Sequence, residues 1–261
     1  MNKNVYISNF QNYISSFDMA DPRNQLKQIH TLKVAELCEQ IAQKLSLTKE
    51  DIDFAWLSGL LHDIGRFEQL KRYDTFMDSK SIDHADLGAD ILFHQGLIDM
   101  FPVSDPELME KVVRIHNKFE VPLSWMEREK LFADILRDAD KIDIIRVNLE
   151  SSREVIYGFP EKEFKNSIIS PEVMEDLRNH QTVLRSHKKS AVDYLMGHVS
   201  FLYGLVFPIS IEILHNQGYY TKLLSFESEN PVTCKQLEII AGEAKKYIQK
   251  MRVQNTGDLT I

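Results

Sequence analysis

GLLHDIGRFEQ, residues 59–69, decides how the rest of the chain is read. An apolar run ends on His62 and Asp63, a glycine follows, and Arg66 and Glu68 come next. Upstream, Thr48 with Asp51 has the pattern of a helix start, and Gly65 that of a helix stop. The turns between, AWLSGLL, are apolar on nearly every side, as a central core helix is. A neighbouring imidazole and carboxylate at the end of such a helix is either a satisfied polar pair or half of a metal site. The flanking sequence has to choose.

Working outward, helical periodicity dominates. In NQLKQIHTLKVAELCEQIAQKL, residues 24–45, apolar side chains at Leu26, Ile29, Val34, Leu37, Ile41 and Leu45 predict one buried stripe. SIDHADLGADILFHQGL (81–97), DPELMEKVVRIHNKF (105–119) and EREKLFADILRDADKIDIIRVNLE (127–150) read as further helices. Pro102, Pro106 and Pro122 punctuate the connections, and 157–171 (YGFPEKEFKNSIISP) reads as a loop or linker. Helical patterns resume in PEVMEDLRNHQTVLRSHKKSAVDYLMGHVSFLYGL, PISIEILHNQGYYTKLL and KQLEIIAGEAKKYIQKMR. Alternating strand patterns are scarce and no repeat period is present. The expected fold is all-α: a single domain over 1–261, with a core at about 25–150 and a C-terminal helical extension, about 151–261, packed on it.

The 261 residues carry a formal net charge of -8, which argues against an extended nucleic-acid surface or an anionic membrane surface. Cys38 and Cys234 are too few and too far apart for a disulfide framework or a CxxC metal pattern, and Cys38 sits on an apolar helix face. The amphipathic start, MNKNVYISNFQNYISSF, has neither the apolar core of a signal peptide nor the length of a membrane span. A soluble, cytoplasmic protein is expected.

The histidines and aspartates on apolar faces or helix ends form an ordered set: His30, His62 with Asp63, His84, His116 and Asp140. Each lies on its own helix, which is how an α-helical bundle projects ligands into its centre. Imidazole and carboxylate together suit divalent first-row metals such as Mn, Fe, Co, Ni or Zn. A carboxylate beside a histidine can also bridge two ions. His94, His180, His187, His198 and His215 lack such a pattern and are read as structural or surface residues.

With these strings quoted, the chain resembles the HD-domain superfamily, whose members are mostly metal-dependent phosphohydrolases with an H…HD…D pattern on a five-helix core. The resemblance covers roughly residues 25–150. HTLKVAELCEQIA resembles the first-histidine helix, LLHDIGRF the HD element and DADKIDI the final-aspartate helix, with Asp140 at the ligand position and not Asp138 or Asp143. It implies that His30, His62, Asp63 and Asp140 ligate a metal. HADLGADIL and RIHNKFEVP resemble the extra elements of two-metal members, which implies His84 and His116 as ligands of a second ion. Some cyclic-dinucleotide phosphodiesterases of the superfamily have two adjacent histidines there. Here the second is Asn117, and no GYP-type extension is present, which argues against that subfamily. The implied architecture is an HD-domain helical bundle with additional C-terminal helices.

A metal held with an open position lowers the pKa of bound water and polarises a phosphoryl oxygen. The expected reaction is hydrolysis of a small phosphate ester, a nucleotide above all, by metal-bound hydroxide. Arg66 is placed to steady a phosphate, Lys141 to do so or to orient a carboxylate, and Glu68 to orient a water or the arginine. The segment KRYDTFMDSKSIDHAD joins two ligand-bearing helices, so Tyr73, Thr75, Asp78 and Ser81 are substrate-contact candidates, Tyr73 first. Arg185, Lys188 and Lys189 cluster in LRSHKKSAVDYL and read as a solvated helix face. Two other functions stay open: a di-iron HD-fold oxygenase with the same ligand set, and a non-catalytic nucleotide-binding module.

Overall fold

A computed structural model describes residues 1–257, and among these it is all-helical, without a strand. The chain divides into two compact units, Met1–Asp140 and Lys141–Ile261. The division falls inside one long helix.

The first unit contains α1 (Lys3–Ile14), α2 (Pro22–Lys44), α3 (Lys49–Leu61), α4 (Ile64–Tyr73), α5 (His84–Ala89), α6 (Pro106–Ile115) and the first half of α7 (Glu127–Glu150). Thr48 caps α3, its hydroxyl accepting from the Asp51 N–H, as its spacing predicts. Every residue from Phe54 to Leu61 is buried, so α3 is the central core helix. Its crossing with α2 is close because Gly59 has no side chain: a Cβ there would lie 2.6 Å from Ala35 Cα. That contact brings His30 of α2 beside His62, with ring centroids 5.4 Å apart.

Gly65 is not a helix stop. The chain leaves helical geometry at Asp63 (φ -103, ψ 17) and α4 starts at once, with Gly65 in its first turn. The glycine is there for proximity: a Cβ on Gly65 would meet the His84 carbonyl oxygen at 2.2 Å and the Gly88 nitrogen at 2.6 Å. The breaker signal is real, but it marks a helix crossing and not an end. A second correction concerns α2. Ile29 is 51 % exposed, while Asn24, His30 and Thr31 are buried. The buried stripe therefore carries polar residues next to its apolar ones, which hydrophobic periodicity cannot detect.

The second unit holds the rest of α7 and α8 (Arg153–Tyr157), α9 (Glu161–Asn166), α10 (Pro171–Arg178), α11 (Ala191–Val199), α12 (Pro208–Gln217), α13 (Tyr219–Leu224) and α14 (Pro231–Gly257). The stretch 157–171 is not wholly a loop: α9 forms within it and buries Phe164. Asp193 in the first turn of α11 is fully buried and completes a capping box with Ser190. Lys188 does not lie on a solvated face. Its ammonium packs over the Tyr194 ring, 5.8 Å from the centroid, and burial first, then Arg185, pulls its pKa down to about 8. No described helix is long and apolar enough to cross a membrane.

Candidate metal centre

Asp63 sits in the break between α3 and α4 and is 2 % exposed. It occupies the N-cap position of α4, yet its side chain makes no capping bond. An aspartate there ordinarily contributes about 1 kcal/mol to the helix it caps. Here the carboxylate turns inward instead. Oδ2 pairs with the Lys27 ammonium at 2.7 Å and lies 3.6 Å from His30 Nε2 and 3.5 Å from His62 Nε2. Oδ1 lies 3.5 Å from His84 Nε2 and 3.8 Å from His116 Nε2. Each oxygen thus faces a different pair of imidazoles. Asp140 joins the first pair, its Oδ1 being 3.0 Å from His30 Nε2 and 3.8 Å from His62 Nε2. The structure brings together all six residues expected as ligands, and the four histidines are almost wholly buried.

The tautomers follow from what holds the other ring nitrogen. His62 and His116 each stand directly after the last residue of a helix, and each Nδ1 lies 2.7 Å from the carbonyl three residues back, Gly59 and Val113 respectively. A carbonyl only accepts, so Nδ1 donates and Nε2 of the neutral ring presents a lone pair. These carbonyls are among those a helix end leaves unpaired. Nδ1 of His84 faces the Asp78 carboxylate at 2.9 Å, which also makes it a donor.

Three observations test the set against a metal. His62 Nε2 is buried with no hydrogen-bond partner, a costly state unless something binds there. His84 Nε2 and His116 Nε2 face one another at 3.0 Å, two acceptors with no proton between them when both rings are neutral. That separation is the edge expected for two nitrogens about 2.1 Å from one ion and roughly at right angles. The donor set of imidazole and carboxylate, without thiolate, suits a divalent first-row ion. The residues fit.

Protonation states favour binding as well. Burial, more than any charge, pulls His62 down to about 4 and His84 to about 3, so both are neutral near pH 7. Burial would push the Asp63 carboxyl up, but Lys27, His62, His116 and Arg66 together outweigh it and hold it well below the usual range. For Asp140 burial is likewise overcome, by His30 first and His62 after it. Ligands that are already deprotonated bind an ion without having to release protons.

The other predicted residues take varied places. Arg66 Nη1 donates to Gln69 Oε1, the Phe76 carbonyl and Asp78 Oδ1, while Nε, 3.6 Å from Asp63 Oδ1, is buried without a hydrogen-bond partner. Glu68 pairs with Arg72 at 2.6 Å on the next turn of α4. Tyr73 is exposed. Lys141 donates to the Gly204 carbonyl at 2.6 Å, within the second unit. Asp143, rejected as a ligand, pairs with Arg146. Sequence reasoning misses Lys27. Its one available signal is its position one helical turn before His30, on the same face of α2.

Residues 28–145 match the model of the HD domain family, and this stretch is an HD domain. The superfamily is mostly metal-dependent hydrolases. Among curated proteins and solved structures there is no significant match to the chain.

Proposed function

We propose that this chain is a metal-dependent phosphohydrolase that cleaves a small phosphate ester, with nucleotides as the first class to try. The observation that carries the reading is the division of ligands about Asp63. His30, His62, Asp140 and Asp63 Oδ2 would hold one ion; His84, His116 and Asp63 Oδ1 would hold a second. Bound there, such ions supply Lewis acidity and a water acidified towards neutral pH.

The chain's own residues supply the rest. Lys27 at 2.7 Å and Arg66 Nε at 3.6 Å are cations against Asp63, and they favour an anionic group at the centre. Arg66 keeps an N–H for a phosphoryl oxygen. The apolar burial of α3 fixes the ligand pair, so little reorganisation is needed when substrate binds. Both cysteines are free, in keeping with a reducing, cytoplasmic setting. The same four imidazoles and two carboxylates also suit two irons, which keeps a di-iron oxygenase as the second reading.

The test is a panel of nucleoside mono-, di- and triphosphates and simple phosphoesters, incubated with protein loaded in turn with Mn, Co, Ni, Zn or Fe. Metal-dependent release of phosphate or nucleoside, absent in Asp63→Asn, is expected. Oxygen consumption by the iron form with no ester cleaved would replace the hydrolase with the oxygenase. Nucleotide binding with neither activity would leave a binding module.

A further inference from the structure

His84 differs from His62 and His116 in where it stands on its helix. The latter two follow helix C-termini, where free carbonyls are at hand for Nδ1. His84 is the first residue of α5, and a helix start offers free N–H groups and no free carbonyls. Its Nδ1 needs an acceptor from elsewhere, and Asp78 provides it.

Asp78 is held from several sides. Its Oδ1 accepts from Arg66 Nη1 at 3.0 Å and from Gln69 Nε2 at 2.9 Å. Its Oδ2 lies 2.9 Å from His84 Nδ1 and 3.4 Å from Asn117 Nδ2. Gln69 is fully buried and also donates to Ser81 Oγ and the Ile82 carbonyl, 2.9 Å each. Asn117 further donates to Asp83 Oδ1 at 2.9 Å. The loop between α4 and α5 is thereby riveted to α4 and to the end of α6, with Asp78 at the hub. A carboxylate on the far nitrogen of an imidazole fixes its tautomer and makes the other nitrogen a stronger ligand.

We propose that Asp78 is a positioning residue for the second ion: clamped by Arg66, Gln69 and Asn117, it aims His84 Nε2 beside Asp63 and His116 and raises its donor strength. Arg66 acts through this hub as well as facing Asp63. The proposal rests on the two-ion reading above.

Co(II) is titrated into metal-free wild type, His84→Ala, Asp78→Asn and Asp78→Glu, with binding read by calorimetry and by the visible band of the ion. Wild type takes two ions. Asp78→Asn keeps the first at wild-type affinity and binds the second roughly 10- to 100-fold more weakly, approaching His84→Ala. Asp78→Glu retains the charge one methylene further out and falls between. Far-UV circular dichroism confirms folding, and should the asparagine variant not fold, the glutamate variant is read alone. Either folded variant binding the second ion as wild type does overturns the role of Asp78. Equal weakening of both ions also overturns it, because the effect is then not directed through His84. Fewer than two ions in wild type would instead overturn the two-ion reading, and the role of Asp78 with it.

Discussion

Asp63 and Asp193 are both buried carboxylates next to a helix start, one in each unit, and their surroundings are opposite. Asp193 is closed by donors. The Ser170 N–H reaches Oδ1 at 2.9 Å, while the Ser170 hydroxyl at 2.6 Å and the Lys189 and Ser190 N–H groups at 2.9 Å each reach Oδ2. Nothing further is needed to keep its charge buried. Asp63 has Lys27, and beyond it the Nε2 atoms of His62, His84 and His116, whose lone pairs point inward. A buried polar cluster completed by the protein is a structural element; one whose acceptors converge without donors is completed by something else. Burial alone does not separate the two cases, and a count of charged residues would not either.

The same substitution made at both sites tests this contrast most severely. Asp63→Asn places one amide N–H among acceptors but strips Lys27 of its counter-charge, so two opposing effects act on the metal-free melt. The variant loses its metal, and with it several kcal/mol of transition-state stabilisation, on the order of 10³ in rate. Asp193→Asn turns an amide against the Ser170 N–H or the donors on Oδ2. It loses about 1–3 kcal/mol of stability while metal content and turnover per bound metal stay unchanged. Calorimetric melts and elemental analysis of both variants read the four outcomes, and equal loss of metal from each would erase the distinction.

A smaller effect is expected at the crossing that carries His84. Gly65→Ala forces a Cβ onto the His84 carbonyl and the Gly88 nitrogen, backbone atoms that cannot swing aside. The cost is about 1–3 kcal/mol, and the second ion weakens more than the first because α5 is pushed away from Asp63. Denaturant titration and a metal isotherm check the two halves of that statement.

Acid perturbs the same centre without a substitution. His62 and His84 titrate at about 4 and about 3 in the folded chain, below the ordinary 6.5. The unfolded chain therefore binds protons that the folded one refuses, and stability rises with pH between those values. The metal-free protein holds its full stability above the ordinary histidine pKa and loses it on acidification towards pH 4. Thermal melts of the metal-free protein at stepped pH across that range read the fall. Asp63→Asn leaves both imidazoles buried and should leave the sign of that slope unchanged; a slope of opposite sign would remove the histidines from the account.

Much of the fold and of the centre is legible in the sequence alone. α7 spans the stretch 127–150 expected of it, and the six ligand candidates meet; among the aspartates of α7 it is the family resemblance, and not residue type or burial, that picks Asp140 over the more buried Asp138 and Asp143. What the sequence hides, it hides for physical reasons. Lys27 looks like any solvated lysine on an amphipathic helix, since nothing local says that its face contains His30 and not apolar neighbours. Asp78 stands among several polar residues of one loop, and only the placement of Arg66, Gln69 and Asn117 picks it out. Gly65 misleads because one residue type serves both helix ends and close crossings, and the partner, Gly88, lies on another helix.

The carbonyls behind His62 and His116 carry a consequence for timing. Each contact spans a single helical turn, so those two donor atoms acquire their aim as α3 and α6 form, on roughly the 0.1–1 μs scale of helix formation. His84 has no such local support. Its orientation waits for the loop that carries Asp78, six residues back, to dock on Arg66, Gln69 and Asn117. His62 and His116 are therefore aimed early in assembly and His84 late.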